Sequence, residues 1–128
     1  MGAALRLALS EISARRRFYR GHGLPAYAPW IVLMTDGQPN DDWRGVAAEA
    51  LSLSKAGRLV LIGVALGGHA DMTTLREIVG VDPGPFRLRG LCFRNFFRWL
   101  SDSLHTVADT PLEHRLALPN PASYDWIV

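Results

Sequence analysis

The chain has 128 residues, which is enough for one domain and too few for two. Hydrophobic residues make up 48 % of it and charged residues 20 %, and this globular composition excludes an intrinsically disordered chain. The net charge is only +2 and the arginines are spread along the chain, apart from Arg15, Arg16 and Arg17, so we expect no nucleic-acid partner.

The same composition bears on membranes and on the cellular compartment. No segment reaches the roughly 20 apolar residues that span a bilayer, and the N-terminal charges follow the apolar residues instead of preceding them as in a secretory signal. The one cysteine, Cys92, cannot form an internal disulfide, and its position beside Phe93 and Phe96 predicts a buried thiol. These features predict a cytoplasmic protein without a membrane partner.

The first half of the chain alternates helix and strand. Apolar residues recur at helical spacing over residues 2–20, and Gly21 and Gly23 are expected to end this helix. Residues 30–34 are an unbroken apolar run, which predicts a strand that is buried on both faces of a parallel sheet. After the Thr35-Asp36-Gly37 turn, Asp41 or Asp42 is expected to cap a helix that runs to about residue 56.

The second half continues the alternation. Residues 59–66 are another buried strand, Asp71 starts a short helix, and a short strand falls within residues 86–91. A last helix over about residues 94–107 should present an apolar face, formed by Phe93, Phe96, Phe97, Leu100, Leu104 and Val107.

This order of elements predicts an α/β fold, a three-layer Rossmann-like parallel sheet with helices on both faces. We expect a single domain over residues 1–128, with a core to about residue 110 and an extended C-terminal tail over residues 111–128.

Asp36 is the candidate functional residue. Ligands of open α/β sheets bind outside the carboxyl ends of the strands, and Asp36 directly follows such a strand. A carboxylate on a rigid strand end is a suitable oxygen ligand for Mg²⁺. The alternative is that Asp36 only stabilises its own turn, since Asp-Gly is a common turn pair.

No catalytic group is predicted. The four histidines are scattered and none is paired at i, i+4, so no zinc site is visible. Ser10 and Ser13 have no histidine or aspartate partner nearby in the sequence, and Cys92 has no activating neighbour.

The apolar strand that ends in Thr-Asp-Gly and is followed by a proline resembles the fourth strand of a von Willebrand factor type A domain. The match extends over nearly the whole chain: residues 1–30 resemble the preceding helix and loop of bacterial type A proteins associated with tellurium resistance, residues 61–78 the next strand and helix, and residues 93–110 the closing helix with its Phe-x-x-Phe-x-x-Trp-Leu-Ser-x-Ser run.

The resemblance implies a protein-interaction module that binds a partner through a divalent cation, usually Mg²⁺, at a metal-ion-dependent adhesion site. Of the family's three ligand loops only the third is present, at Asp36; the Asp-x-Ser-x-Ser motif and the second-loop threonine would precede Met1. We therefore expect an N-terminally truncated domain whose Mg²⁺ binding is weak or absent. Loss of the family's central strand would also expose the edge of residues 30–34, which predicts self-association there.

Three interpretations remain. The first is the interaction module, linked to tellurium resistance or stress response. The second is a small Rossmann-like hydrolase or phosphatase that uses Asp36, although the sequence offers no clear second catalytic group. The third is a truncated remnant without independent function.

Overall fold

The computed structural model describes residues 1–24, 27–81, 84–109 and 118–128. It confirms the predicted α/β fold, with a three-stranded parallel sheet in the order β1-β2-β3 and helices that flank it. The elements in chain order are α1 (Gly2–Gly21), β1 (Trp30–Thr35), α2 (Arg44–Lys55), β2 (Val60–Ala65), α3 (Met72–Val79), β3 (Pro85–Arg87), α4 (Phe93–Asp109) and a single-turn 3₁₀ helix (Pro121–Tyr124).

The chain divides into two compact units, a first unit over Met1–Pro85 and a second unit over Phe86–Val128. In the first unit β1 and β2 are parallel, with Trp30 opposite Val60 and Thr35 opposite Ala65. Helices α1, α2 and α3 share one apolar core with the two strands. The buried residues of this core include Leu5, Leu9, Ile31, Leu33, Val46, Ala47, Ala50, Leu61, Leu75 and Ile78.

The two strands of the first unit differ in burial. Residues 61–65 of β2 are all buried, as the sequence predicts for a strand covered on both faces. In β1 only Ile31 and Leu33 are buried, whereas Trp30, Val32 and Met34 are partly exposed, so the prediction of burial on both faces is wrong for this strand. The reason is its place in the sheet, because β1 lies at the edge of the strand order and β2 at the centre.

Gly63 allows α3 to pack closely on β2. A Cβ atom at this position would lie 3.0 Å from the Cγ of Leu75 and 3.1 Å from a methyl carbon of Val79. Those separations are shorter than ordinary van der Waals contact, so any larger residue would push the helix away from the strand.

The second unit has an aromatic core. The rings of Phe96 and Trp126 have centroids 4.9 Å apart, those of Trp99 and Trp126 5.5 Å, and those of Phe86 and Trp126 5.3 Å. Helix α4 contributes Phe96, Trp99 and Ser103, which are spaced at i, i+3 and i+7 and are buried.

The inward face of α4 therefore differs from the predicted one. Phe97 is 53 % exposed and Leu104 45 % exposed, although both were expected to point inward. Apolar residues extend around more than one side of this helix, so more than one side could have faced the interior. The large ring of Trp99 is buried there, whereas Phe97 and Leu104 are not. Cys92, predicted to be buried, is partly exposed at the start of the helix.

The described end of the chain is not an extended tail. Residues 121–124 form the 3₁₀ helix, capped by the Asn120 side chain, and Trp126 is completely buried. Backbone hydrogen bonds join Arg89 to Trp126 (2.7 Å) and Val128 to Arg87 (3.0 Å), because the buried indole holds the terminal residues against this unit. The rest of the predicted tail, residues 111–117, lies outside the described residues.

Within the ranges that the structure describes, no helix combines the length and the apolar character needed to cross a membrane.

Candidate functional site

The structure places Asp36 where the sequence predicts it, one residue beyond the carboxyl end of β1 and exposed to solvent. Its side chain lines an open crevice of about 510 Å³, which we call the Asp36 crevice. The crevice is lined by Met1, Ala4, Leu33, Met34, Thr35, Asp36, Gln38, Pro39, Asn40 and Leu66. It therefore brings together the end of β1, the turn that follows, and the first turn of α1.

The turn after β1 is stabilised by Thr35 and not by Asp36. The Thr35 hydroxyl accepts a hydrogen bond from the backbone N–H of Gly37 and lies 3.3 Å from its carbonyl oxygen, to which it can donate. For the Asp36 carboxylate, no hydrogen bond or ion pair is found within the described residues. This disfavours the alternative in which Asp36 serves only to hold its own turn.

Asp41 has a structural role that the sequence did not reveal. Its carboxylate accepts hydrogen bonds from the backbone N–H groups of Gly2 and Ala3, each at 3.0 Å, and lies 3.3 Å from the Met1 amino group. It thus caps α1, which begins 39 residues earlier in the chain. The prediction that Asp41 or Asp42 caps α2 is wrong, because Trp43 occupies that N-cap without a side-chain hydrogen bond.

The contacts of Asp41 also change its acidity. The N–H groups of Gly2 and then Ala3, with a smaller contribution from the Met1 amino group, lower the pKa of Asp41 from 3.8 to about 2. These hydrogen bonds are made to the ionised carboxylate of Asp41, so they stabilise it relative to the protonated carboxyl group and lower the pKa. The carboxylate is already engaged by three donors and is not available as a metal ligand at the neighbouring crevice.

We expect Asp41→Asn to lower the melting temperature at pH 7 by about 3–6 °C, because the amide keeps one acceptor oxygen but loses the second one and the negative charge at the start of α1. Because the folded-state pKa is depressed, the stabilisation is present above pH 3.8 and is lost as the pH falls toward 2. Thermal melts by circular dichroism from pH 2 to pH 7 should therefore converge for the two proteins at the acidic end. Asp42→Asn is the matched control, since the carboxylate of that exposed neighbour has no hydrogen bond within the described residues.

Equal melting curves for Asp41→Asn and the unaltered protein at pH 7 would contradict the capping role. So would a difference that persists unchanged at pH 2.

The donor atoms around Asp36 fit only a loosely held cation. Among the described residues that line the crevice, Asp36 is the one with a carboxylate, and Gln38 and Asn40 carry side-chain amide oxygens. Across the described ranges there is no group of three histidine, cysteine, aspartate or glutamate side chains that could hold a metal ion. Mg²⁺ commonly keeps several waters and one or two carboxylates, so these residues suit a largely hydrated ion and not a closed site.

Three other polar side chains singled out in the sequence, those of Asp71, His22 and His105, make local contacts. Asp71 caps α3 as predicted, accepting hydrogen bonds from the backbone N–H of Thr73 and Thr74 and from the Thr74 hydroxyl at 2.6 Å. That hydroxyl is the first cause of its lowered pKa. His22, directly after α1, and His105, within α4, each contact the carbonyl oxygen four residues earlier.

Comparisons of the chain with protein-family models, with curated proteins and with solved structures gave no match. The resemblance to type A domains therefore rests on the sequence motifs alone.

Proposed function

We propose that this protein is an interaction module of the von Willebrand factor type A kind, which contacts a protein partner through a divalent cation held at Asp36. The observation that carries the proposal is the exposed, unpaired Asp36 carboxylate in a crevice at the end of a parallel strand. We extend the proposal to a link with tellurium resistance or stress response, on the resemblance alone, and to the cytoplasm, which the single cysteine favours.

The chemistry of the crevice supports a bridging role for the cation. A Mg²⁺ ion bound to one carboxylate keeps most of its coordination positions filled by water. The amide groups of Gln38 and Asn40 can accept hydrogen bonds from those waters or replace one of them. An acidic side chain of a partner can then complete the shell, so the affinity for the cation is low until the partner arrives.

A hydrolase or phosphatase that uses Asp36 has less support. General acid–base chemistry needs a second group within hydrogen-bond reach. Among the described residues that line the Asp36 crevice, no other side chain is acidic or basic. The nearby Asp41 carboxylate is held by the first turn of α1 and is a poor base, because its pKa is lowered to about 2.

We expect the protein to bind Mg²⁺ with a dissociation constant on the millimolar scale, as for sites with few protein ligands. A titration followed by ¹⁵N NMR should shift the amide signals of residues 35–38 and 40, and Asp36→Asn should abolish the saturable response. Asp42→Asn is the control, because it removes an equal charge from an exposed position that does not line the crevice.

A dissociation constant for Mg²⁺ in the micromolar range would contradict the proposal that the site is incomplete. Shifts that are equally large in Asp36→Asn, or that occur away from residues 35–40, would remove Asp36 from the proposal.

A further inference from the structure

A second candidate site lies at the opposite end of β1 from Asp36, where two open crevices of about 430 and 380 Å³ adjoin. Arg16, Tyr19 and Tyr27 line both crevices, so the two form one continuous surface. We call this surface the arginine–tyrosine groove, and its defining side chains are Arg15, Arg16, Tyr19, Arg20, Tyr27 and Arg58.

The fold assembles this groove from distant parts of the first unit. Arg16, Tyr19 and Arg20 are spaced at i, i+3 and i+4, which puts them on one side of the last turns of α1. The Arg16 guanidinium donates a hydrogen bond to the carbonyl oxygen of Arg58, in the loop after α2. This contact holds the backbone of Arg58, 42 residues further along the chain, against α1, and Arg58 lines the groove as its fourth arginine.

The groove carries a surplus of positive charge. Within the described residues none of its four arginines forms an ion pair, and Glu11 is the one acidic side chain that lines it. The C-terminal ends of α1 and α2 each add about half a negative charge, which explains part of the arginine content. These helix ends and Glu11 together offset about half of the four positive charges.

The groove also presents aromatic rings to solvent. Tyr19 is 37 % exposed and Tyr27 50 % exposed, and both line crevices that arginines also line. Exposed rings beside guanidinium groups are the features on which proteins stack the bases of single-stranded nucleic acids while their cations contact the phosphates. An enclosed small-molecule site would instead bury most of its ligand, whereas these crevices are open.

We infer that the arginine–tyrosine groove binds a short stretch of single-stranded nucleic acid, with backbone phosphates on the arginines and bases against Tyr19 and Tyr27. Each crevice has a volume suited to a nucleotide-sized group. The expectation of no nucleic-acid partner rested on the spread of arginines along the sequence, and the fold gathers four of them on one surface. The inference is independent of the cation proposed at Asp36.

Fluorescence anisotropy with a labelled single-stranded oligonucleotide of mixed sequence tests this site. We expect the double variant Arg15→Glu, Arg20→Glu to weaken binding by more than about tenfold, because exposed cations that contact phosphates are reversed. The matched control is Arg94→Glu, Arg98→Glu, which makes the same change of charge at exposed positions on α4. It should alter the affinity by less than about twofold, as expected for charges that contact no phosphate.

Two further measurements separate stacking from charge. Tyr19→Leu keeps the net charge and a good helix former but removes the ring, and we expect about tenfold weaker binding. For about three phosphate contacts, raising the salt concentration from 50 to 200 mM should reduce the affinity by roughly tenfold to twentyfold. Circular dichroism melts of every variant check that the fold is retained.

Four results would overturn the inference: no binding of the oligonucleotide, equal losses in the two charge-reversal pairs, equally tight binding of a mononucleotide, or equal competition by a polyglutamate peptide. The second would show unspecific charge attraction, the third a small-ligand site and the fourth a site for acidic peptides.

Discussion

Replacing Trp126 with alanine is expected to lower the free energy of unfolding by about 3–5 kcal/mol, the range for large aromatic residues removed from a core. Trp126 is completely buried, and its ring lies against those of Phe86, Phe96 and Trp99 in the second unit. The loss is a large part of the 5–15 kcal/mol by which typical domains are stable. Urea denaturation followed by far-ultraviolet circular dichroism measures it.

Two variants separate the packing of this indole from its position near the chain end. Val128→Ala changes an apolar residue that is 75 % exposed, and we expect no measurable effect. Trp126→Phe keeps an aromatic ring and removes an N–H group that has no hydrogen-bond partner within the described residues. Its loss should be clearly smaller than that of alanine, because the unpaired N–H already carries a desolvation cost. Equal stability of Trp126→Ala and the unaltered protein would mean that the last residues are dispensable to the fold.

The elements that the sequence predicted well are those fixed by local signals. The unbroken apolar run at residues 59–66 became the central strand β2, and Asp71 caps α3 through hydrogen bonds to residues two and three positions later. Such contacts depend on periodicity and short-range spacing, which the sequence displays directly. The position of Asp36 could be predicted in the same way. It directly follows an apolar strand, and ligands of parallel sheets bind beyond the carboxyl ends of the strands.

The features that sequence reasoning missed depend on contacts between distant residues. Asp41 precedes α2 in the sequence, yet the unsatisfied N–H groups of α1 hold its carboxylate. Arg58 joins the arginines of α1 only through the packing of α1 beside α2. The wide apolar surface of α4 allowed more than one side to face inward. The side that does so is the one on which Trp99 packs against Phe96 and Trp126. None of these choices has a local signal in the sequence.

The edge of β1 supports the last prediction, that the protein self-associates through this strand. The carbonyl oxygens of Pro29 and Thr35 accept hydrogen bonds from Val60 and Leu66. In a parallel ladder this register directs the odd-numbered residues of β1 toward β2, and the N–H and C=O groups of Trp30, Val32 and Met34 toward the outer edge.

This edge lacks the devices that usually prevent pairing between sheets. The strand Trp30–Thr35 contains no charged residue and no proline. The side chains of Trp30, Val32 and Met34 are partly exposed, and they are apolar apart from the indole N–H of Trp30. Uncharged apolar edges of this length template the addition of another strand. We expect two copies of β1 to pair, since a symmetric contact presents the same edge on both molecules.

Val32→Pro tests the edge directly. It removes an outward N–H group without breaking a hydrogen bond to β2, and proline is tolerated in edge strands at such positions. Size-exclusion chromatography with light scattering, over about 10 µM to 1 mM, should show association of the unaltered protein and a monomer for Val32→Pro. Val32→Thr is the matched control, because it keeps the β-branched shape and the N–H, and it should still associate. A monomer at every concentration for the unaltered protein, or association that survives Val32→Pro in a folded chain, would show that the β1 edge is not the contact surface.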